Sequence, residues 1–284
     1  MDKELIYSVY EDLESRYNNE PCFETGFFDL DDLLSLREKG VLITIGARPA
    51  MGKTSFMYNI MQNVAKQGKT CLLFSLEMSK EQAAQRLLAS EAEVDNLRLR
   101  SGNMQASDWE KLADAMNKLL EMPILIEDKP TLTVEEMEEK IKEVKPDVVF
   151  IDYLQLVKAQ KKLDRCNQIE HIMRELKRIS VENEVITFIS SQLSRAVEQR
   201  VEKRPMLSDL RESSSIETIS DIIMFIYRAE YYSHQPDDEY AVLCRGEAEI
   251  IVAKNRFGPS GVVLLKFAHN ITKFLNRIKA TECF

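Results

Sequence analysis

Ala47-Arg48-Pro49-Ala50-Met51-Gly52-Lys53-Thr54 is the stretch whose reading decides this fold. An apolar run, Val41 to Ile45, leads into it, and a helical pattern starts near Thr54. Strand, loop and helix in that order form the setting in which a phosphate-binding loop works. Backbone N–H groups wrap the phosphates, and the helix opening at Lys53 aims its positive dipole end at them. Lys53 is then expected to reach the β- and γ-phosphates as a point charge, and the Thr54 hydroxyl to hold Mg²⁺. Ala47 stands where the pattern G-x-x-x-x-G-K-[ST] has its first glycine, and Gly46 comes one residue too early to restore the match. The competing reading is an ordinary turn before a surface helix. Gly-Lys-Thr behind a buried strand outweighs it, and the stretch reads as a nucleotide-binding site.

Around this loop the chain has the make-up of a soluble globular protein: 284 residues, 44% apolar and 30% charged. An α/β fold of about 200–250 residues is commonly one domain. No stretch approaches the ~20 apolar residues of a membrane helix, and the N-terminus lacks the basic-then-apolar layout of a signal peptide. The cysteines (22, 71, 166, 244 and 283) are odd in number and widely spaced, without a C-x-x-C pair. Neither a zinc site nor a disulfide framework is indicated, and a reducing cytoplasm is the expected location. A formal charge of -9 argues against a surface that coats nucleic acid broadly. Asp29, Asp31 and Asp32 concentrate acid early, whereas Arg195, Arg200, Lys203, Arg204 and Arg211 crowd a later segment. Such asymmetry suits a small electropositive path on an acidic body, or simply a solvated face.

Taken in order, residues 3–17 set Leu5, Ile6, Val9 and Leu13 on one helical face, which needs a partner within the domain or on a neighbour. Asn18 to Pro21 breaks that helix, so residues 1–23 are assigned as linker helix and connector and 24–284 as the main domain. Cys71 to Leu76 is a second buried strand, ending at Glu77. Capping boxes are expected at Ser79–Gln82, Ser107–Glu110 and Thr133–Glu136, with a short strand from Pro123 to Glu127. Trp109, in the second of these helices, is expected in the core. Four further strand candidates follow at Asp147–Asp152, Val185–Ser191, Ile222–Tyr227 and Glu249–Lys254, with a helix near Asn167–Glu182. Their continuous apolar runs suit strands buried on both faces of a parallel sheet. Gly261–Phe267 and Thr272–Leu275 alternate, as an antiparallel edge hairpin would. The expected architecture is doubly wound α/β, with ligands at the carboxyl ends of the strands.

Polar residues end several of these strands. Asp152 follows Val148-Val149-Phe150-Ile151, the pattern of a Walker B strand whose carboxylate orders Mg²⁺ through its water shell. Glu77 is placed to polarise the water attacking a γ-phosphate, and Gln192 to sense that phosphate through its amide. Each alone has a plain structural alternative, a cap or a surface polar group. Three on successive strand ends behind a phosphate loop form a constellation. Tyr227-Arg228 and Tyr231-Tyr232 are candidates for a nucleotide-base contact or for packing. His171, His234 and His269 have no partner spacing.

From about Glu24 to Asn276 the chain resembles the DnaB-type replicative helicases, specifically their C-terminal RecA-like motor domain. Phosphate loops there look like A-R-P-S-M-G-K-T, so Ala47 is ordinary and Ala50 a mild change. Phe74 to Met78 resembles the next motif, with Glu77 as the catalytic glutamate. Asp152-Tyr153-Leu154-Gln155-Leu156 resembles its Walker B motif, and Ser191 to Arg195 with Arg204 to Ser213 its sensor and DNA-binding loops. Lys254-Asn255-Arg256-Phe257-Gly258-Pro259 resembles K-x-R-x-G-P, which implies that Arg256, with Lys254, reaches the ATP site of an adjacent subunit. The resemblance also implies a phosphate contact from Arg86, DNA contacts from Arg211, Glu212 and Ser214, ATP and Mg²⁺ as cofactors, and a mostly parallel twisted sheet with an antiparallel C-terminal hairpin. Its expected partners are single-stranded DNA, copies of itself in a hexameric ring, and a helicase loader or primase, with no membrane.

Two departures bear on DNA handling. Ser213-Ser214-Ser215 replaces the usual Ser-Gly-Ser, and Glu217-Thr218-Ile219-Ser220-Asp221 has one acid fewer than the usual Glu-Gln-Asp-Ala-Asp. The chain also begins at what resembles the family's linker helix, without the helical domain that precedes it there. A compact variant or an excised fragment would look so. The expected activity is therefore an ATP-driven, 5′-to-3′ DNA helicase. The alternative is a nucleotide-gated DNA-binding or assembly module, accessory to a full-length helicase.

Overall fold

The computed structural model describes residues 3, 6, 7, 10, 11, 22–158, 164–210, 214–232 and 244–277. Helix α1 (Phe28–Leu34) precedes strand β1 (Leu42–Ala47), which is buried along its whole length and runs into helix α2 (Lys53–Lys66). Strand β2 (Cys71–Ser75) leads to helices α3 (Lys80–Ala92), α4 (Asn96–Ser101) and α5 (Ala106–Glu121), then to strand β3 (Ile124–Glu127). Helix α6 (Val134–Val144), strand β4 (Val148–Asp152), helix α7 (Arg165–Glu182) and strand β5 (Ile186–Gln192) continue the alternation. Helix α8 (Ser214–Ile219) and strands β6 (Ile222–Tyr227), β7 (Glu247–Asn255), β8 (Gly261–Ala268) and β9 (Lys273–Asn276) close the described chain.

The sheet has the order β3-β2-β4-β5-β1-β6-β7-β8-β9. Pairings from β3 through β6 are parallel and those from β6 through β9 antiparallel. Period-two alternation sends Ile43, Ile45, Leu73, Phe150 and Phe188 into one core, shared with α1, α2 and α3. Leu42, Leu72, Phe74, Val149, Ile151 and Ile189 point into a second core, shared with α6, α7 and α8. Both faces of the central strands are covered, which is why they read as unbroken apolar runs.

Three expectations change. The strand at Glu249–Lys254 is the longer β7, antiparallel to β6, and its burial alternates because Ile250 and Val252 are buried in the first core while Ile251 and Ala253 are only partly covered by the second. The antiparallel hairpin therefore sits at the end of a three-strand extension. The capping boxes at Ser79–Gln82 and Thr133–Glu136 form. The middle one does not involve Ser107: helix α5 starts at Ala106, and Asp108 accepts from the Gln105 N–H at 3.0 Å. Trp109 is 63% exposed, since α5 turns Leu112 and Ala115 toward Ala92 and Val94 instead. Of the apolar face on residues 3–17, only Ile6 is described, and it is exposed; Leu5, Val9 and Leu13 lie outside the described residues.

Candidate active site

The loop after β1 explains its own composition. Ala47 is the last residue of the strand, paired in register with Gln192, so extended backbone suffices there and no glycine is required. Left-handed backbone falls instead at Ala50 (φ 64°) and Gly52 (φ 94°). A Cβ at Gly52 would also stand 3.1 Å from the Phe274 ring and 3.3 Å from Phe267, so two constraints select glycine. Gly52 is the N-cap of α2, and no side chain caps the helix. Its first-turn N–H groups are thereby left for an anion.

Lys53 and Thr54 open α2 beside the end of β4. Thr54 Oγ1 donates to Asp152 Oδ2 at 2.7 Å, and Ser190 Oγ donates to Asp152 Oδ1 at 2.6 Å. Lys53 Nζ lies 4.0 Å from Asp152 Oδ1 and 4.6 Å from the centre of the Tyr153 ring. Asp152 is only 2% exposed. Burial pushes the Lys53 ammonium below the ordinary lysine range, with Asp152 and Glu77 opposing that shift. A buried cation with weak compensation is stabilised by an anion that enters, so the site favours an anionic ligand. One hydroxyl and one carboxylate side by side match Mg²⁺, which keeps waters and takes its remaining oxygens from phosphates. Among the described residues no group of three or more His, Cys, Asp or Glu forms a dedicated metal cage.

Glu77 is exposed in the bend after β2, close enough that its charge acts on Lys53 and Tyr153. Gln192 ends β5 beside Ala47, and its N–H approaches Gln155 Oε1 at 3.4 Å. Gln155 in turn donates to Ser191 Oγ at 3.0 Å. Arg86 is exposed on α3, and its charge acts on the Tyr58 hydroxyl of α2. Arg48 turns its side chain away from the loop: Nε donates to Glu198 Oε1 at 2.9 Å and Nη1 to the Leu193 carbonyl at 2.8 Å. Only its backbone N–H is left for a phosphate, together with those of Ala50 and Met51; Pro49 lines the loop but has no N–H to offer.

Arg228 is a loop residue that sequence reasoning grouped with the base-contacting aromatics. It is buried at the end of β6, its guanidinium 4.4 Å from the Phe267 ring centre, with Nη1 donating to the Ala50 carbonyl at 3.3 Å. Glu230 pairs with it and accepts from the Gly246 N–H. Arg228 thus braces the left-handed Ala50 in the loop between β1 and α2. Its place one residue past an apolar strand was visible, but nothing local shows that β6 ends beside β1.

Lys254 and Arg256 occupy the far end of the sheet. Arg256 N–H donates to the Asp221 carbonyl at 3.0 Å, and Asp221 N–H to the Leu42 carbonyl at 2.9 Å. Leu42 begins β1 and Ala47 ends it, a span of roughly 17 Å at about 3.3 Å per residue. Lys254 Nζ donates to the carbonyls of Glu217 (2.6 Å) and Ser220 (2.7 Å). Burial, then the charge of Arg256, hold that ammonium below the usual lysine range.

Arg211 and Glu212 lie outside the described residues; Ser214 is exposed as the first residue of α8. The basic segment before them is less free than its composition suggests. Arg200 holds Asp209 at 3.0 and 2.7 Å, and Arg204 holds Glu249. Lys203 lies over the Tyr232 ring at 5.1 Å, and Arg195 is exposed.

The sequence matches the family model described as DnaB-like helicase C terminal domain over residues 22–276. It is 40% identical to the replicative DNA helicase DnaC of Bacillus subtilis (strain 168), across 96% of this chain and 61% of that protein. It is 39% identical to the replicative DNA helicase DnaB of Geobacillus stearothermophilus over the same shares. The chain thus spans about three fifths of the length of these relatives. A solved structure described as the ATPase domain of G40P superposes with a TM-score of 0.89 at 35% identity, covering 98% of this chain and 100% of that one. A structure described as a DnaB-like replicative helicase and its interactions with primase gives the same TM-score and identity, with 67% of that chain covered. Among the described residues no helix is long and apolar enough to cross a membrane.

Proposed function

The chain belongs to the family of DnaB-like helicase C-terminal domains, and from that premise we propose that it is the ATP-driven motor of a ring-forming replicative DNA helicase. Residues 24–284 are the motor and 1–23 the linker. The observation that carries this is the separation of Arg256 from its own phosphate loop by the length of β1. A charged, exposed residue of the right type at that position completes a nucleotide site only on another copy.

In the proposed reaction, loop amides and Lys53 hold the β- and γ-phosphates of ATP. Thr54 and Asp152 would hold Mg²⁺, which would supply charge neutralisation at the phosphate oxygens when bound. Glu77 orients and deprotonates the attacking water, and Gln192 reports the state of the γ-phosphate to the segment that follows β5. Arg86 adds a contact within the subunit, while Arg256 and Lys254 stabilise the transition-state charge from the neighbour. Arg211, Glu212 and the backbone at Ser214 track the phosphates of a single DNA strand, carrying it 5′ to 3′ through a hexamer. A loader or primase is the expected accessory partner. The test is ATPase turnover with and without single-stranded DNA, alongside the mass in solution. DNA-stimulated turnover at hexameric mass is expected; DNA binding with negligible turnover in the assembled state would refute the motor.

A further inference from the structure

Arg256 is not a free side chain. Its Nη1 donates to Asp221 Oδ1 at 3.0 Å and its Nη2 to the Thr218 carbonyl at 2.6 Å, yet the side chain is 46% exposed. A guanidinium carries five N–H donors in a rigid fork. Among the described residues these two bonds engage two of them and leave three unengaged on a half-exposed side chain. Asp221 is itself buried, 2% exposed, and anchored from behind. Its Oδ2 accepts from the Leu42 N–H at 2.8 Å and from Lys177 Nζ at 2.6 Å, and Lys177 also donates to the Gly40 carbonyl. The same carboxylate therefore grips the entry of β1 with one oxygen and Arg256 with the other.

We infer that Asp221 is the positioning residue of Arg256: its buried carboxylate aims the guanidinium outward from inside its own subunit before a neighbour's nucleotide arrives. This rests on the reading of Arg256 as a residue acting in the adjacent site. An arginine side chain has four flexible torsions, and an unheld one would spend most of its time misaligned. Two inward bonds remove that freedom without using up the other donors. The carbonyls of Glu217 and Thr218 in α8, and of Ser220 just after it, hold Lys254 and Arg256 and complete the seat.

Asparagine at 221 separates aiming from folding. Two donors converge on Oδ2, so the amide oxygen is drawn to that side and its NH₂ turns toward Arg256 Nη1, donor against donor. The anchor to Leu42 and Lys177 survives while the seat of Arg256 is lost. In the assembled full chain with saturating single-stranded DNA, Asp221→Asn should lower kcat by about 100-fold, the scale of a displacement near 1 Å, with KM for ATP unchanged. Adding Asp221→Asn to Arg256→Ala should cost nothing more. Lys177→Met, which strips the carboxylate of its other cation, should stay close to wild type. Melting midpoints confirm that each variant is folded, and Asp221→Ser takes the place of an asparagine variant that is not. Wild-type kcat in Asp221→Asn, an effect that multiplies that of Arg256→Ala, or an equal loss in Lys177→Met would overturn the assignment. If Arg256→Ala itself turns over normally, the action in the adjacent site fails first, which is a distinguishable result.

Discussion

Arg204 grips Glu249 with two hydrogen bonds, 2.8 Å from Nε and 2.6 Å from Nη2, across 45 residues of sequence. Its guanidinium also stands 5.2 Å from the Tyr227 ring centre. A fork matched to a carboxylate in this way is committed to the fold and not to a ligand.

Arg204→Ala should therefore leave the salt dependence of single-stranded DNA binding unchanged and lower stability by about 1 kcal/mol, a partly exposed pair being worth little more. Arg195→Ala, removing an exposed cation of the same segment, should reduce the slope of log affinity against log salt by about 0.7. Titrations at several salt concentrations decide it. Equal slope changes in both variants would place Arg204 on the DNA.

The two left-handed residues of the loop between β1 and α2 should respond in opposite senses. Gly52→Ala meets both an unfavourable φ and the Phe274 ring, and should cost about 2–3 kcal/mol together with ATP binding. Ala50→Gly relieves about 1–2 kcal/mol of backbone strain against about 0.4–1 kcal/mol of added unfolded-state entropy, a net gain between about 0 and 1.6 kcal/mol. Denaturant midpoints at constant m-value measure both. A destabilised Ala50→Gly would mean that the left-handed assignment is wrong.

The separation of Arg256 from Lys53 predicts complementation. Arg256→Ala should bind ATP and lose hydrolysis by roughly 10³–10⁵-fold, whereas Lys53→Ala should lose its own grip on the phosphates. Mixing the two inactive proteins creates interfaces with an intact loop facing an intact arginine, and some ATPase activity should return. Near-normal hydrolysis by Arg256→Ala alone contradicts action in the adjacent site.

Cys71 makes a pH prediction. Burial, with a smaller contribution from the charge of Asp147, pushes its thiol from 9.0 up to about 12. Between those values the unfolded chain releases a proton that the folded chain keeps. The folded state binds more protons, so stability falls as pH rises through this window. Tyr58, also raised by burial, adds to the fall above 10.0. Denaturant midpoints followed from pH 9 upward should drop less steeply in Cys71→Ala than in wild type. Parallel curves would show that Cys71 does not titrate in this way.

The sequence by itself determined the strand, the loop after it, the helix behind that loop and the acid that ends β4, because each is a local pattern. An unbroken apolar run means a strand covered on both faces, and Gly-Lys-Thr after it means an open helix N-terminus. Thr54 and Asp152 were readable for that reason, although 98 residues separate them. The tertiary structure alone decided which charges are already spent. Arg48 on Glu198, Arg204 on Glu249, Arg228 on the Ala50 carbonyl and Arg256 on Asp221 all depend on β1 lying between β5 and β6, with β7 reversed beside β6. Strand order is set by the summed packing of two cores, and no window of sequence carries it. Trp109 was misplaced for the same reason: which face of α5 is buried depends on where α3 lies.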